Sequence, residues 1–225
     1  MKLKLLIVFI LINSCKDSSI YEIDNAKFKL LKTPVTFIDS KIERLSADKD
    51  LIMTEFDLDE LRETPDYYAG LIPKYPMITG YFINKFDKSF ITQDGGIIYA
   101  CRCLVINKNG KFILIDSQEK IKEYFAPIQS KEEAISYLSL STHSYPIYDF
   151  KFVKENFEFK KTILNKTYVD SLTDGYKVHL FEKLVFGCEH PYFEVVYELK
   201  QDGTFIEKSR KEIFRDPKEN GLCID

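Results

Sequence analysis

The amino-acid sequence predicts an α+β fold, a mostly antiparallel sheet with two short helices near the middle of the chain. Three observations carry that prediction. Turn signals at Asn109-Gly110, Asp174-Gly175 and Asp202-Gly203 separate runs rich in β-branched and aromatic residues, the pattern of antiparallel hairpins. Two capping-box patterns, Asp116-Ser117-Gln118-Glu119 and Ser130-Lys131-Glu132-Glu133, each open a short segment with apolar residues at helical spacing. Strand-like runs lie on both sides of those helices, the arrangement of an α+β chain.

The first element is a leader. Lys2 and Lys4 precede the unbroken apolar run from Leu5 to Ile12, and Asn13-Ser14-Cys15 follows before the chain turns polar. That is the three-part plan of a secretory signal peptide. The apolar run would rise only about 12 Å as a helix, too short for a hydrocarbon core of roughly 30 Å. Ile12-Asn13-Ser14-Cys15 resembles the lipobox of bacterial lipoproteins. The resemblance implies removal of residues 1–14, acylation of Cys15 (palmitate or similar chains) and attachment to a membrane. Two or more such chains anchor a protein stably, each buried methylene adding about 0.8 kcal/mol. Lys16 follows the cysteine where an Asp would signal inner-membrane retention in some bacteria, so the resemblance implies an outer-membrane anchor in the cell envelope.

Residues 15–33 are polar and Lys-rich and predict a flexible tether. Residues 34–225 are expected to form one globular domain, enough chain for a self-sufficient core. Val35 to Ile38 reads as a short strand after Pro34. Asp57 to Glu63 predicts a short helix ended before Pro65, because proline disfavours helical backbone in the residue before it. Thr64 to Tyr81, with Pro65, Pro73, Pro76, Gly70 and Gly80 among four tyrosines, predicts an irregular loop packed by its own aromatics. The alternative is an aromatic platform for a sugar or peptide.

Gly96 to Ile106 and Lys111 to Ile115 predict a hairpin about Asn109-Gly110. A helix opens at Asp116, with Ile121, Tyr124 and Phe125 on its apolar side, and stops at Pro127. The second capping box leads into Ala134, Ile135, Tyr137, Leu138 and Leu140. Ser141 to Pro146 reads as a polar loop. Strands are expected at Tyr148 to Phe152, Tyr168 to Leu172, Tyr176 to Phe186, Tyr192 to Leu199 and from Thr204 onward.

Charge excludes one class of function. Lys and Arg number 32 against 35 Asp and Glu; removing Lys2 and Lys4 with the leader leaves 30 against 35, near −5. The signs are interspersed and no basic stripe exists to neutralise phosphates, so nucleic acid is not an expected partner.

Five cysteines are present, and four remain after Cys15: Cys101, Cys103, Cys188 and Cys223. An exported chain favours disulfides. The preferred bridge is Cys188–Cys223, which ties the C-terminal residues to the preceding sheet. Cys101 and Cys103 are then free or joined in a small ring. Alternatively each bridges to one of the later pair. Cys101, Cys103, Cys188 and His190 form a lesser candidate zinc set, since sulfur and imidazole ligands suit tetrahedral zinc. No other metal ligand set and no cofactor motif is present.

Catalytic signatures are also missing. No helical His-Glu-x-x-His, Gly-x-Ser-x-Gly elbow or phosphate loop occurs among these residues. His143 lies between hydroxyls in Ser141-Thr142-His143-Ser144, His179 in a strand and His190 before Pro191. The leading expectation is therefore a non-enzymatic binding module whose partner is an envelope protein or a cell-wall polymer. An envelope hydrolase, built from dispersed carboxylates or His143, is one alternative. An immunity or inhibitor lipoprotein presenting Thr64 to Tyr81 to a toxin or peptidase is another.

Overall fold

The computed structural model describes residues 22–24, 45, 48–83, 92–94, 100–219 and 221–223. The architecture is α+β with mostly antiparallel pairing, as expected, and three helices stand among the described residues. The leader, Cys15 and the Val35 to Ile38 run lie outside the described residues.

The first sheet runs β2 (Glu60–Arg62), β3 (Met77–Ile83), β5 (Ala100–Lys108), with β4 (Thr92–Asp94) and β6 (Lys111–Ile115) sharing the far side of β5. Alternation along β5 explains its two faces. Leu104 and Ile106 point into a central core, whereas Cys101, Cys103 and Val105 point into a second one. Helix α1 (Lys49–Phe56) contributes the fully buried Ile52 to that second core.

The second sheet runs β7 (Glu158–Phe159), β12 (Phe205–Arg215), β11 (Pro191–Lys200), β10 (Gly175–Lys183), β9 (Tyr168–Leu172). Its inner face (Val169, Val178, Leu180, Val195, Tyr197) meets the central core. The outer face carries Phe181 into a third core with Phe150, Phe157 and Phe214. Between the two sheets lie α2 (Gln118–Phe125) and α3 (Lys131–Ser141). Every residue of α3 from Ala134 to Ser141 is buried, three of them serines. Serine suits a helix packed on all sides because it is small and its hydroxyl can meet nearby backbone. Ser136 Oγ donates to the Tyr67 carbonyl at 2.8 Å and accepts from the Gly70 N–H at 3.0 Å.

Both helix starts follow from the sequence, with one adjustment. Ser130 caps α3 by accepting from Glu133 N at 3.1 Å, while Glu133 Oε2 accepts from Gln129 N at 2.9 Å. For α2 the cap is Ser117, one residue past Asp116. Asp116 instead pairs with Lys120 at 2.9 Å.

Four expectations are corrected. Asp57 to Glu63 is not a helix. The helix lies upstream at Lys49–Phe56 and ends at Asp57, which takes a left-handed conformation with φ 54°. Glu60–Arg62 then pairs with β3, because Leu61 finds burial there that a lone short helix would not give it. Thr64 to Tyr81 is not one irregular loop. Its last residues belong to β3, and a 3₁₀ turn at Asp66–Tyr68 leads into the buried run Ala69, Leu71 and Ile72 against α3. Tyr68 is fully buried, while Tyr67, Tyr75 and Tyr81 stay partly exposed. Tyr148 to Phe152 joins no ladder. Phe150 packs into the third core, and the Asp149 carboxylate accepts from Lys151 N in a local turn. Finally, the stretch expected as a tether contains β1 (Glu22–Asp24), which pairs in parallel with β8 (Ile163–Asn165).

Candidate functional site

A cleft of about 440 Å³ opens at the rim of the central layer, where the C-terminal end of α3 meets one strand from each sheet. From the first sheet comes Arg102, placed on β5 opposite Tyr81 of β3. Strand alternation turns it toward α3, on the face that carries Leu104 and Ile106. From α3 and its exit come Ser139, Thr142 and His143. The second sheet supplies Glu182 and Lys183 at the end of β10 and, beyond them, Leu184, Val185 and Phe186.

The loop after α3 is held at every step. Thr142 Oγ1 donates to the Leu138 carbonyl at 2.7 Å and accepts from Ser144 N at 3.1 Å. Ser144 Oγ shares a 2.8 Å hydrogen bond with the Tyr197 hydroxyl inside the protein. Tyr145 and Phe181 exchange backbone hydrogen bonds of 2.7 and 2.9 Å. His143 is thus presented outward from a fixed turn. Its imidazole makes no hydrogen bond or ion pair among the described residues, and the neighbouring Ser144 hydroxyl is committed to Tyr197. The structure therefore does not join His143 to a serine as base and nucleophile.

Charge in the cleft is unevenly satisfied. Glu182 pairs with Arg210 at 2.7 Å and Lys183 with Glu219 at 2.9 Å. Arg62, Arg210 and Arg215 each hold at least one carboxylate. Arg102 holds none among the described residues. Its Nη2 reaches the Thr142 carbonyl at 3.5 Å, its guanidinium stands 5.9 Å from the Tyr68 ring centre, and its Nε is buried without an acceptor. A buried donor left unmet costs about 1–3 kcal/mol. In sequence Arg102 is the spacer between Cys101 and Cys103. The available signal was a lone cation in an otherwise apolar strand, Ala100 to Ile106, on the face that alternation assigns to the core.

The apolar lip is braced from behind. The Cys188–Cys223 disulfide forms, as preferred from the sequence. Beside it the His190 ring lies between two carbonyls, with Nδ1 3.2 Å from that of Leu184 and Nε2 2.7 Å from that of Leu222. Gly221 N donates to the Cys188 carbonyl and Leu184 N to that of Pro191, both at 3.0 Å.

Cys101 and Cys103 form no disulfide and lie buried side by side on one face of β5. The crossed pairing with the later cysteines is thereby overturned, and so is a small ring between these two. The zinc set is not brought together either. Its two β5 cysteines face the second core, Cys188 is bonded to Cys223, and His190 is occupied by carbonyls. Burial pushes the Cys103 thiol up to about 12, with the Asp116 carboxylate adding to the rise.

The remaining histidine sits on the outer face of the second sheet. His179 stacks on Tyr168 at 4.8 Å, and its Nε2 lies 3.4 Å from Glu194, which also accepts from Lys161 at 2.7 Å. Burial raises the Glu194 carboxyl, but the hydrogen bonds from His179 and Lys161 outweigh that and hold it at about 2. His179 Nδ1 is buried without a hydrogen-bond partner among the described residues. This group is a structural pin beneath the strands, remote from the cleft lining.

Among the described residues no helix is long and apolar enough to cross a membrane. No protein-family model, no curated protein and no solved structure matches this chain.

Proposed function

We propose that the chain is a bacterial envelope lipoprotein, held to the outer membrane through acylated Cys15, whose folded part is a binding module and not an enzyme. Its partner is an envelope protein or a cell-wall polymer, recognised in the cleft beside Arg102. The observation that carries this reading is the guanidinium of Arg102, half-buried in the cleft wall and answered by no carboxylate among the described residues. An unanswered cation in a preformed cleft supplies both attraction and orientation for a bound group. Beside it the Thr142 and Ser144 hydroxyls are committed to internal hydrogen bonds. The anchor rests on Leu5 to Cys15.

Two measurements test the reading. Radiolabelled palmitate fed to the host is expected to enter the wild-type chain and not Cys15→Ser. Capture from solubilised envelopes is expected to recover a stoichiometric partner with wild type and to lose it with Arg102→Gln. An empty capture with wild type would remove the binding-module reading. Turnover of an envelope substrate that His143→Ala abolishes would replace it with a hydrolase.

A further inference from the structure

We infer that the cleft takes an amphiphilic monocarboxylate, its carboxylate on Arg102 and its apolar arm on the lip formed by Leu184, Val185 and Phe186. The inference rests on the binding-module reading and names the chemistry that the site recognises.

The charge argument comes first. Among the described residues the full charges in the lining are Arg102, Glu182 and Lys183; Glu182 pairs with Arg210 and Lys183 with Glu219, which leaves Arg102 without a carboxylate there. Guanidinium is the cation best matched to a carboxylate, since its planar fork can meet both oxygens. One guanidinium without a carboxylate partner among the described residues matches one monoanion.

The lip supplies the second half. Leu184, Val185 and Phe186 are consecutive and remain 44%, 45% and 37% exposed. Three adjacent large apolar side chains are thus left open to water at the mouth of the cleft. Looseness does not explain their exposure. The disulfide, the His190 bridge between two carbonyls and the Leu184–Pro191 hydrogen bond all hold that turn in place. A braced apolar lip beside one unanswered cation is complementary to a molecule with a single charged head and an apolar body. The volume, about 440 Å³, is that of a small-molecule site.

Such a carboxylate has two sources, a free aliphatic acid or the C-terminus of a peptide ending in an apolar residue. Titration of the purified full chain in lipid nanodiscs separates them, with empty discs subtracted. The probes are hexanoate and hexanol on one side, acetyl-Leu-Phe and its C-terminal amide on the other. Wild type is expected to bind at least one of the acids and neither neutral analogue. Preference for hexanoate identifies a free acid as the source, and preference for the peptide acid identifies a chain terminus. Arg102→Gln is expected to weaken binding at least tenfold. Phe186→Asp, on the exposed lip where folding is not at stake, is expected to do the same by placing a second negative charge beside the ligand.

Failure of both acids to bind, equal binding of the neutral analogues, or unchanged binding by Phe186→Asp would overturn the inference. Capture of an envelope partner is a separate measurement. Acid binding lost with capture intact removes the ligand class and keeps the module, and capture lost with acid binding intact does the reverse.

Discussion

Gly70 and Glu132 approach so closely that a methyl group on Gly70 would lie 2.2 Å from the Glu132 carbonyl oxygen. The contact lets the buried run after the 3₁₀ turn sit directly on the first turn of α3. Ser136 completes it by bonding to Tyr67 and Gly70. The obstacle is helix backbone and cannot swing aside. Gly70→Ala is therefore expected to destabilise by about 3 kcal/mol, the upper range for overpacking. The check is a lower urea midpoint with an unchanged slope. A midpoint equal to wild type would mean that this segment is not docked on α3.

Lys74 locks the same junction. Its ammonium meets the Glu133 carboxylate at 2.8 Å, the Pro127 carbonyl at 2.7 Å and the Phe125 carbonyl, which uses all three donors. Lys74→Met keeps the aliphatic stem and leaves the Glu133 carboxylate without this partner. The expected loss is about 2 kcal/mol, in the range for hydrogen bonds to charged groups, read by thermal or urea unfolding.

Acid stability should report Glu194. Its carboxyl is depressed in the folded state, so its contribution is complete above the ordinary carboxylate range and is lost as pH falls toward about 2. Between about pH 5 and pH 2 the wild type should lose on the order of 2–3 kcal/mol through this group. Glu194→Gln should start less stable at neutral pH and show a flatter fall over that window. Parallel curves for the two proteins would deny the group its role as a pin.

The two kinds of cysteine should separate chemically. Cys103, buried with its thiol raised to about 12, should resist iodoacetamide at pH 8 until the protein unfolds. Intact mass should show one disulfide in the folded, oxidised chain. Its reduction removes a closure of 35 residues, a loss of up to about 4 kcal/mol in the chain-entropy model. Reduction should also free the lip at Leu184 to Phe186, seen as faster amide exchange there than in β10.

Elements whose signals are local were legible in the sequence. Asn109-Gly110 turns β5 into β6 with φ of 55° and 83°, as its side chains permit. Ser130 caps α3 where the pattern placed it. The Cys188–Cys223 bridge, expected because it ties the C-terminal residues to the preceding sheet, forms. Elements decided by distant partners were not legible. Glu60-Leu61-Arg62 is too short to declare a period, and only β3 makes it a strand. Tyr148 to Phe152 alternates like a strand, but no neighbouring strand offers it a ladder, so its alternation serves aromatic packing with Phe181 and Phe214.

By itself the sequence determined the turns, the helix starts, the class of fold and the residues that resemble a lipobox. Each depends on side chains within a few positions of one another, whose backbone preferences act before any tertiary contact forms. Only the tertiary structure decided that Arg102, His143 and the Leu184 to Phe186 lip share one cleft. They come from two sheets and the end of a helix between them. Their meeting is set by the burial of α3 between those sheets, a balance of packing that no short stretch of chain encodes.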